Sequence, residues 1–531
     1  MKIRAMAACG AALACGAFGI ASLAVAGMTD ITQTGPGVPG GSINKSLEQQ
    51  IGAGQGDIHT FASSYYVIAR DPARAIRRGR QLFQRKFTHN QGLGPRVNAD
   101  GFGDMALNRA LGAGLTDSCS ACHGRPQGSA GSGGDVNTRP ESRDAPHLFG
   151  LGLVEMLADE ITADLRATRR AAIRSAEREG HSTQRRLRSK SIDYGWIKAF
   201  PNGRVDTSRV QGVDADLRVR PFFHHGATVS IREFIIGAFR DEMGLQASDP
   251  VLCAATDFAQ PIRSSSIAGM IFDPALDHFE RPTVCDPGED ADTDGVINEI
   301  DPAVVDFMEV YLLNYFKPGR TKVTRLADRG LEVMKSIGCT DCHTQKLVVE
   351  NDRRVADVET RFDAQKGIMN RLFSTVEGRF ETVDDGDPFP RLVPLGGEFV
   401  VENVFADFRR HDLGPAFHER QHDGSVVTEF MTEPLWGVAS TGPYGHDGRS
   451  INLNEVILRH GGEAEQSRRA YDRLPTSKQR AVLEFLGTLV LFPPESTASN
   501  LNPGDPAGNS MADQGSLNLG ALFQIGEEGP E

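Results

Sequence analysis

Past its first 27 residues the chain has no apolar run near the roughly 20 residues that a membrane-crossing helix needs, so a soluble protein is expected. Positive charge is also in deficit: 57 Lys and Arg stand against 70 Asp and Glu, a formal net charge of −13. An acidic surface of this kind argues against nucleic acid as a partner. Tryptophan is scarce, with only Trp196 and Trp436. Either could lie between redox groups, and core packing is the plainer role for each. Cysteine is limited to eight residues, of which Cys9 and Cys15 fall in the opening stretch. That stretch has Lys2 and Arg4, an alanine-rich apolar run and Ala24-Val25-Ala26, the layout of an export signal over residues 1–26. A periplasmic location is therefore expected. The length, 531 residues, suits two or three domains.

The six other cysteines fall into three groups. Cys119-Ser120-Ala121-Cys122-His123 and Cys339-Thr340-Asp341-Cys342-His343 share the pattern C-x-x-C-H. In it two thiols add across the haem vinyl groups and the adjacent histidine ligates the iron. One helical turn between the sulfurs spans the porphyrin edge and brings the imidazole under the metal. Zinc is the alternative, but zinc-binding pairs lie about 15 to 20 residues apart; here more than 200 separate them, and a histidine follows both. Two covalent haems c are expected, held by Cys119, Cys122 and His123 and by Cys339, Cys342 and His343. The third group, Cys253 and Cys285, is read as a disulfide formed in an oxidising compartment.

The chain also repeats itself. Arg78-Gly79 to Phe83 precedes the first motif as Arg329-Gly330 to Met334 precedes the second. Pro221-Phe222-Phe223-His224-His225-Gly226 followed by Ser230 to Phe234 answers Pro443-Tyr444-Gly445-His446-Asp447-Gly448 followed by Asn452 to Val456. Each is an aromatic turn feeding an amphipathic helix. The fold is expected to be mainly α: two fused cytochrome c-like haem domains with long irregular loops. The predicted organisation is a leader over 1–26, a linker over 27–60, a first domain over 61–250, a linker over 251–302, a second domain over 303–492 and a disordered tail over 493–531. Residues 155–190 read as one or two arginine-rich helices. Their arginines form either a solvated face or a docking patch for an acidic electron partner.

These residues resemble the bacterial di-haem cytochrome c peroxidase superfamily, and within it the di-haem oxidoreductases described as peroxidases or thiol oxidoreductases. Besides the two haem motifs, the resemblance is carried by Arg143-Asp144-Ala145-Pro146, by Phe408-Arg409-Arg410-His411-Asp412-Leu413-Gly414-Pro415 and by Pro434-Leu435-Trp436-Gly437 leading to Pro443 to Arg449. It implies peroxide chemistry at the N-terminal haem, electrons passed to it by the C-terminal haem, and calcium near the domain interface. It also implies that the residue fourteen positions after His446, which is His460, is the sixth ligand of the C-terminal iron. A helix-capping histidine is the alternative. The same count from His224 reaches Ala238, which cannot bind iron, so the N-terminal iron should be open unless His147 or His225 swings in. The resemblance further points to Glu242, before Met243, as acid/base, with His224 or His225 as helper.

Asp290, Asp292 and Asp294 occupy loop positions 1, 3 and 5, with Gly295 at position 6, as in a calcium-binding EF-hand loop. Position 12 is Asp301 in place of the usual Glu, and a solvated acidic linker is the alternative reading. The leading function is reduction of peroxide or another small oxidant. A non-enzymatic electron-transfer cytochrome and a haem oxidase or oxygenase are the competing classes. Expected partners are a periplasmic electron donor or acceptor protein and a second copy of the chain as a homodimer.

Overall fold

The computed structural model describes residues 56–87, 118–125, 129–133, 143–243, 247–256, 300–315, 317–359, 375–421 and 423–491, with a few short pieces between them. Eleven α-helices lie among them: α1 Ser64–Arg70, α2 Pro72–Gln84, α3 Cys119–His123, α4 Leu151–Glu179, α5 Ile231–Asp241, α6 Pro250–Thr256, α7 Pro302–Leu313, α8 Arg325–Ser336, α9 Leu453–Arg459, α10 Glu465–Asp472 and α11 Thr476–Leu486. The described residues combine helix with strand, the strands in several small sheets, so the fold is mixed rather than mainly α. Much of the chain expected to form irregular loops pairs instead as short antiparallel ladders. Such ladders satisfy the backbone of long connections without a large core. Within the tail read as disordered, Leu501–Gly504 pairs with Gln514–Leu517 in the same way.

The largest departure lies in the arginine-rich stretch. Gly150 and Gly180, both in the left-handed conformation, bound α4, and the Gly180 N–H donates to the Ala176 carbonyl as a C-cap. Beyond it, Thr183–Ser189 (β1), Ile192–Ala199 (β2) and Val205–Val210 (β3) form an antiparallel sheet. Arginine tolerates either structure, so the run itself did not decide. Buried Leu187, Ile192, Tyr194 and Ile197 drive the sheet onto α4. Lys190 and Ser191, with φ of 47° and 69°, make the two-residue hairpin turn.

The duplication is visible in the hydrogen bonds. Ser230 caps α5 by accepting from Glu233 N, and Glu233 accepts back from Val229 N at 2.7 Å. Asn452 caps α9 by accepting from Glu455 N, and Glu455 accepts from Ile451 N at 2.9 Å. Before each capping box the turn closes with one antiparallel bridge, Phe222 with Thr228 and Tyr444 with Ser450. The helix pairs match too: α2 crosses α7 at Gly79, and α8 crosses α11 at Gly330. Helix α7, expected to open the second domain at residue 303, packs on α2 and α5 of the first unit. An apolar helix does not announce which neighbour it will cover. The insertion that carries Cys253 and Cys285 thus lies inside the first unit. Those two cysteines form the expected disulfide, with Cα atoms 5.6 Å apart.

A Cβ added at Gly330 would stand 1.9 Å from the Ala481 carbonyl oxygen, so the helices could not keep their distance. Gly330→Ala is expected to destabilise the second unit by about 1–3 kcal/mol. A denaturant midpoint equal to that of the parent would refute the close crossing.

Candidate active site

Both haem motifs sit on single turns, α3 and the 3₁₀ turn Cys339–Asp341. None of their four cysteines is in a disulfide. His123 Nδ1 lies 2.7 Å from the Pro146 carbonyl oxygen, and His343 Nδ1 lies 2.9 Å from that of Phe405. A carbonyl only accepts, so each Nδ1 carries the proton and each Nε2 keeps its lone pair for a metal. Burial pushes the His123 imidazole down to about 4 and that of His343 also downward, which keeps both rings neutral. Phe405 is itself held in the left-handed region, φ 52°, an uncommon conformation for a bulky residue. This aims its carbonyl at His343.

His460 shows the same arrangement. It ends α9, its Nδ1–H donates to the Val456 carbonyl at 2.7 Å, Phe417 packs edge-on at 5.4 Å, and burial, with a smaller contribution from His343, pushes its imidazole down to about 4. The loop after it is anchored, because Gly461 N donates to the Leu413 carbonyl and Glu463 meets His411 Nδ1 at 2.8 Å. His460 stands eight residues after its N-cap Asn452; eight after the N-cap Ser230 stands Ala238. The two turns therefore match bond for bond but differ at the position that could reach an iron.

The donor set fits covalent haem at both motifs. Among the described residues no cluster brings both thiols of either motif to one ion, as zinc would require. His147 is not available to swing in. Its Nδ1 accepts from Phe149 N at 3.2 Å, and its Nε2–H donates to the Trp436 carbonyl at 3.0 Å. Glu242 lies beside Cys122, whose thiol its charge helps to raise, and its carbonyl accepts from Thr116 N. His224 packs instead against His446 of the matching turn, with ring centroids 5.5 Å apart, and His446 stacks on Phe430. Asp290, Asp292 and Asp294 lie outside the described residues. Asp301, at position 12 of that loop, caps α7 by accepting from Ala303 N, so it is already engaged.

Sequence reasoning missed the groups that hold these histidines. Pro146 and Phe405 act through backbone carbonyls, which leave no residue-type signal. His411 is buried between Asp407 and Glu463, each 2.8 Å away; burial disfavours its charged form, but Asp407 and the Cys342 sulfur outweigh that and push it up to about 11. Trp436 is buried with its indole against Gly150, whereas Trp196 stands 38% exposed on the outer side of β2. Leu435 N donates to the Val404 carbonyl at 3.0 Å, so a continuous path of bonds and hydrogen bonds runs from His123 through Pro146, His147 and Trp436 to Phe405 and His343.

No curated protein matches the chain. It is similar in structure to hydrazine synthase from Kuenenia stuttgartiensis, with a TM-score of 0.31 and 13% identity over 80% of this chain and 91% of that one. It is also similar to a MauG-like protein associated with microbial copper homeostasis, with a TM-score of 0.27 and 14% identity over 78% and 88%. The family model described as "Di-haem oxidoreductase, putative peroxidase" matches residues 397–489, the stretch that holds Phe405, His411, Trp436 and His460. Over residues 397–489, then, the chain is similar to the di-haem oxidoreductases.

Proposed function

We propose that this chain is an exported di-haem c-type oxidoreductase that reduces peroxide at its N-terminal haem with electrons relayed by its C-terminal haem. The observation that carries the reading is the Ala238/His460 asymmetry between two otherwise matching turns. Among the described residues, His343 and His460 would hold the C-terminal haem and His123 the N-terminal one, with Ala238 standing where the second turn has His460. When attached, the haems supply one-electron redox chemistry, and two electrons with two protons turn hydrogen peroxide into two waters. The residues of the chain do the rest. Pro146 and Phe405 fix the tautomer and direction of the two proximal imidazoles. Glu242 holds a proton and returns it to the leaving oxygen in this reading. The Cys253–Cys285 disulfide and the leader support export to an oxidising periplasm.

The as-isolated ferric spectrum tests the asymmetry. One high-spin and one low-spin haem are expected, with cyanide and peroxide acting on the high-spin one alone. Two low-spin haems that ignore both ligands would make the chain an electron carrier instead. Glu242→Gln is expected to slow the peroxide reaction about 10²–10⁴-fold. An unchanged rate would clear Glu242 of the role.

A further inference from the structure

The second half of α4 and the β1–β3 sheet form a basic projection on an acidic protein. Residues 166–210 hold twelve lysines and arginines against four acidic residues, in a chain of net charge −13. Across the outer face of the sheet the strand register sets Arg186 opposite Trp196 and Trp196 opposite Arg209. The Arg186 guanidinium lies 5.4 Å from the Trp196 ring centre and also pairs with Asp193. Arg170 and Arg174 are exposed on the adjoining helix. Burying an exposed tryptophan flanked by arginines would add contact area and cation–π attraction at the centre of an interface.

The inner face of the same sheet reaches the C-terminal haem site. Tyr194, fully buried, donates from its hydroxyl to the Asp407 carbonyl at 2.9 Å. Two residues before Asp407, the Phe405 carbonyl holds His343. Arg410 N donates to the Gly212 carbonyl just past β3, tying the other end of the sheet to the same segment. We propose that the outer face of β1–β3, centred on Trp196, is the docking surface for an acidic electron-carrier protein that exchanges electrons with the C-terminal haem. The proposal rests on the di-haem reading above. A compact protein fits better than a bilayer or a nucleic acid. At physiological salt charges act over about 8 Å, so a small acidic patch meets the projection alone, whereas an extended polyanion also meets the acidic remainder of the chain.

Stopped-flow reduction of the holoprotein tests this, with an acidic plant-type ferredoxin as donor and dithionite as a small control donor. The ferredoxin rate constant for the C-terminal haem should fall as salt rises. Arg186→Glu combined with Arg209→Glu should lower it at least tenfold at low salt and flatten the salt dependence, with the dithionite rate unchanged. Trp196→Ala should lower it severalfold without changing the salt slope. If the charge-reversed sheet does not fold, Arg170→Glu with Arg174→Glu on the helix should lower the rate about threefold. A ferredoxin rate that ignores these substitutions overturns the proposal. So does selective loss of binding to phosphatidylglycerol vesicles in the reversed variant, which would make the face a membrane site. A chain with no dithionite-reducible haem would instead remove the di-haem reading, and so is told apart from a failure of docking alone.

Discussion

His460→Ala is expected to convert the C-terminal haem from low-spin to high-spin, and His460→Met to keep it low-spin with a higher midpoint potential. The reason is geometric. The Val456 carbonyl holds the Nδ1 proton of His460, which leaves the Nε2 lone pair for a metal, and hydrogen bonds anchor the Gly461–Glu463 loop that follows. A thioether favours reduced iron relative to imidazole, and axial-ligand choice spans roughly 0.8 V across haem proteins. The shift with methionine should therefore be among the largest that a single substitution produces here. Removing the ligand also breaks the asymmetry on which the proposed function rests, because both haems would then bind cyanide. A low-spin C-terminal spectrum unchanged in His460→Ala would show that another residue holds the iron.

The largest stability effect is expected at Arg232. This residue near the start of α5 is completely buried and meets three buried carboxylates: Asp249 at 2.5 Å, Asp306 at 2.8 Å and Glu309 at 3.0 Å. Ser64 also donates to Asp306, so one guanidinium ties α5 to α7, α1 and the segment leading to Cys253. Breaking a buried ion pair by removing one partner costs about 3–5 kcal/mol, and Arg232→Met strips three acids at once, so the loss should reach at least the top of that range. Since a domain has only about 5–15 kcal/mol in total, the first unit should be close to unfolding. The pH dependence has a definite sign. Burial already raises the Asp306 and Glu309 carboxyls above their ordinary range with Arg232 in place. Without it they rise further. An acid whose folded pKa lies above its unfolded one destabilises the fold as pH climbs and ceases to do so below the unfolded value. The deficit of the variant should therefore grow as pH rises and shrink toward pH 4. Urea midpoints of both proteins at several pH values would measure it, and a deficit constant with pH would point to lost packing instead. Adding Asp306→Asn should recover part of the loss, because one stranded charge is gone.

Some features were legible because they are local. The C-x-x-C-H turns and the aromatic turns that feed the helices after Ser230 and Asn452 each need only neighbouring residues. The internal repeat was legible for the same reason, since matching local signals recur in the same order. The eight-residue step from each cap, to Ala238 in one half and His460 in the other, could be counted along the chain. Pairing Cys253 with Cys285 needed only that two cysteines remained outside the haem motifs.

What the chain order could not show is where distant segments meet. The carbonyls that hold His123 and His343 come from 23 and 62 residues away and belong to the backbone, which every residue has. The arginine-rich run became a sheet because Leu187, Tyr194 and Ile197 found an apolar face on α4, a choice made by burial and not by propensity. Helix α7 joined the first unit because Gly79 allows a close approach that only the assembled helices reveal. His411 is held between Asp407 and Glu463, which converge on it from 4 and 52 residues away. The sequence by itself determined which thiols and imidazoles share a C-x-x-C-H turn and how often the motif repeats, because such motifs and helix caps act over one or two turns. Tertiary structure alone decided which carbonyl orients each imidazole, which buried charges balance and which face of the basic sheet is left open, because these depend on the free energy of desolvation, and that is set only when distant segments close around a group.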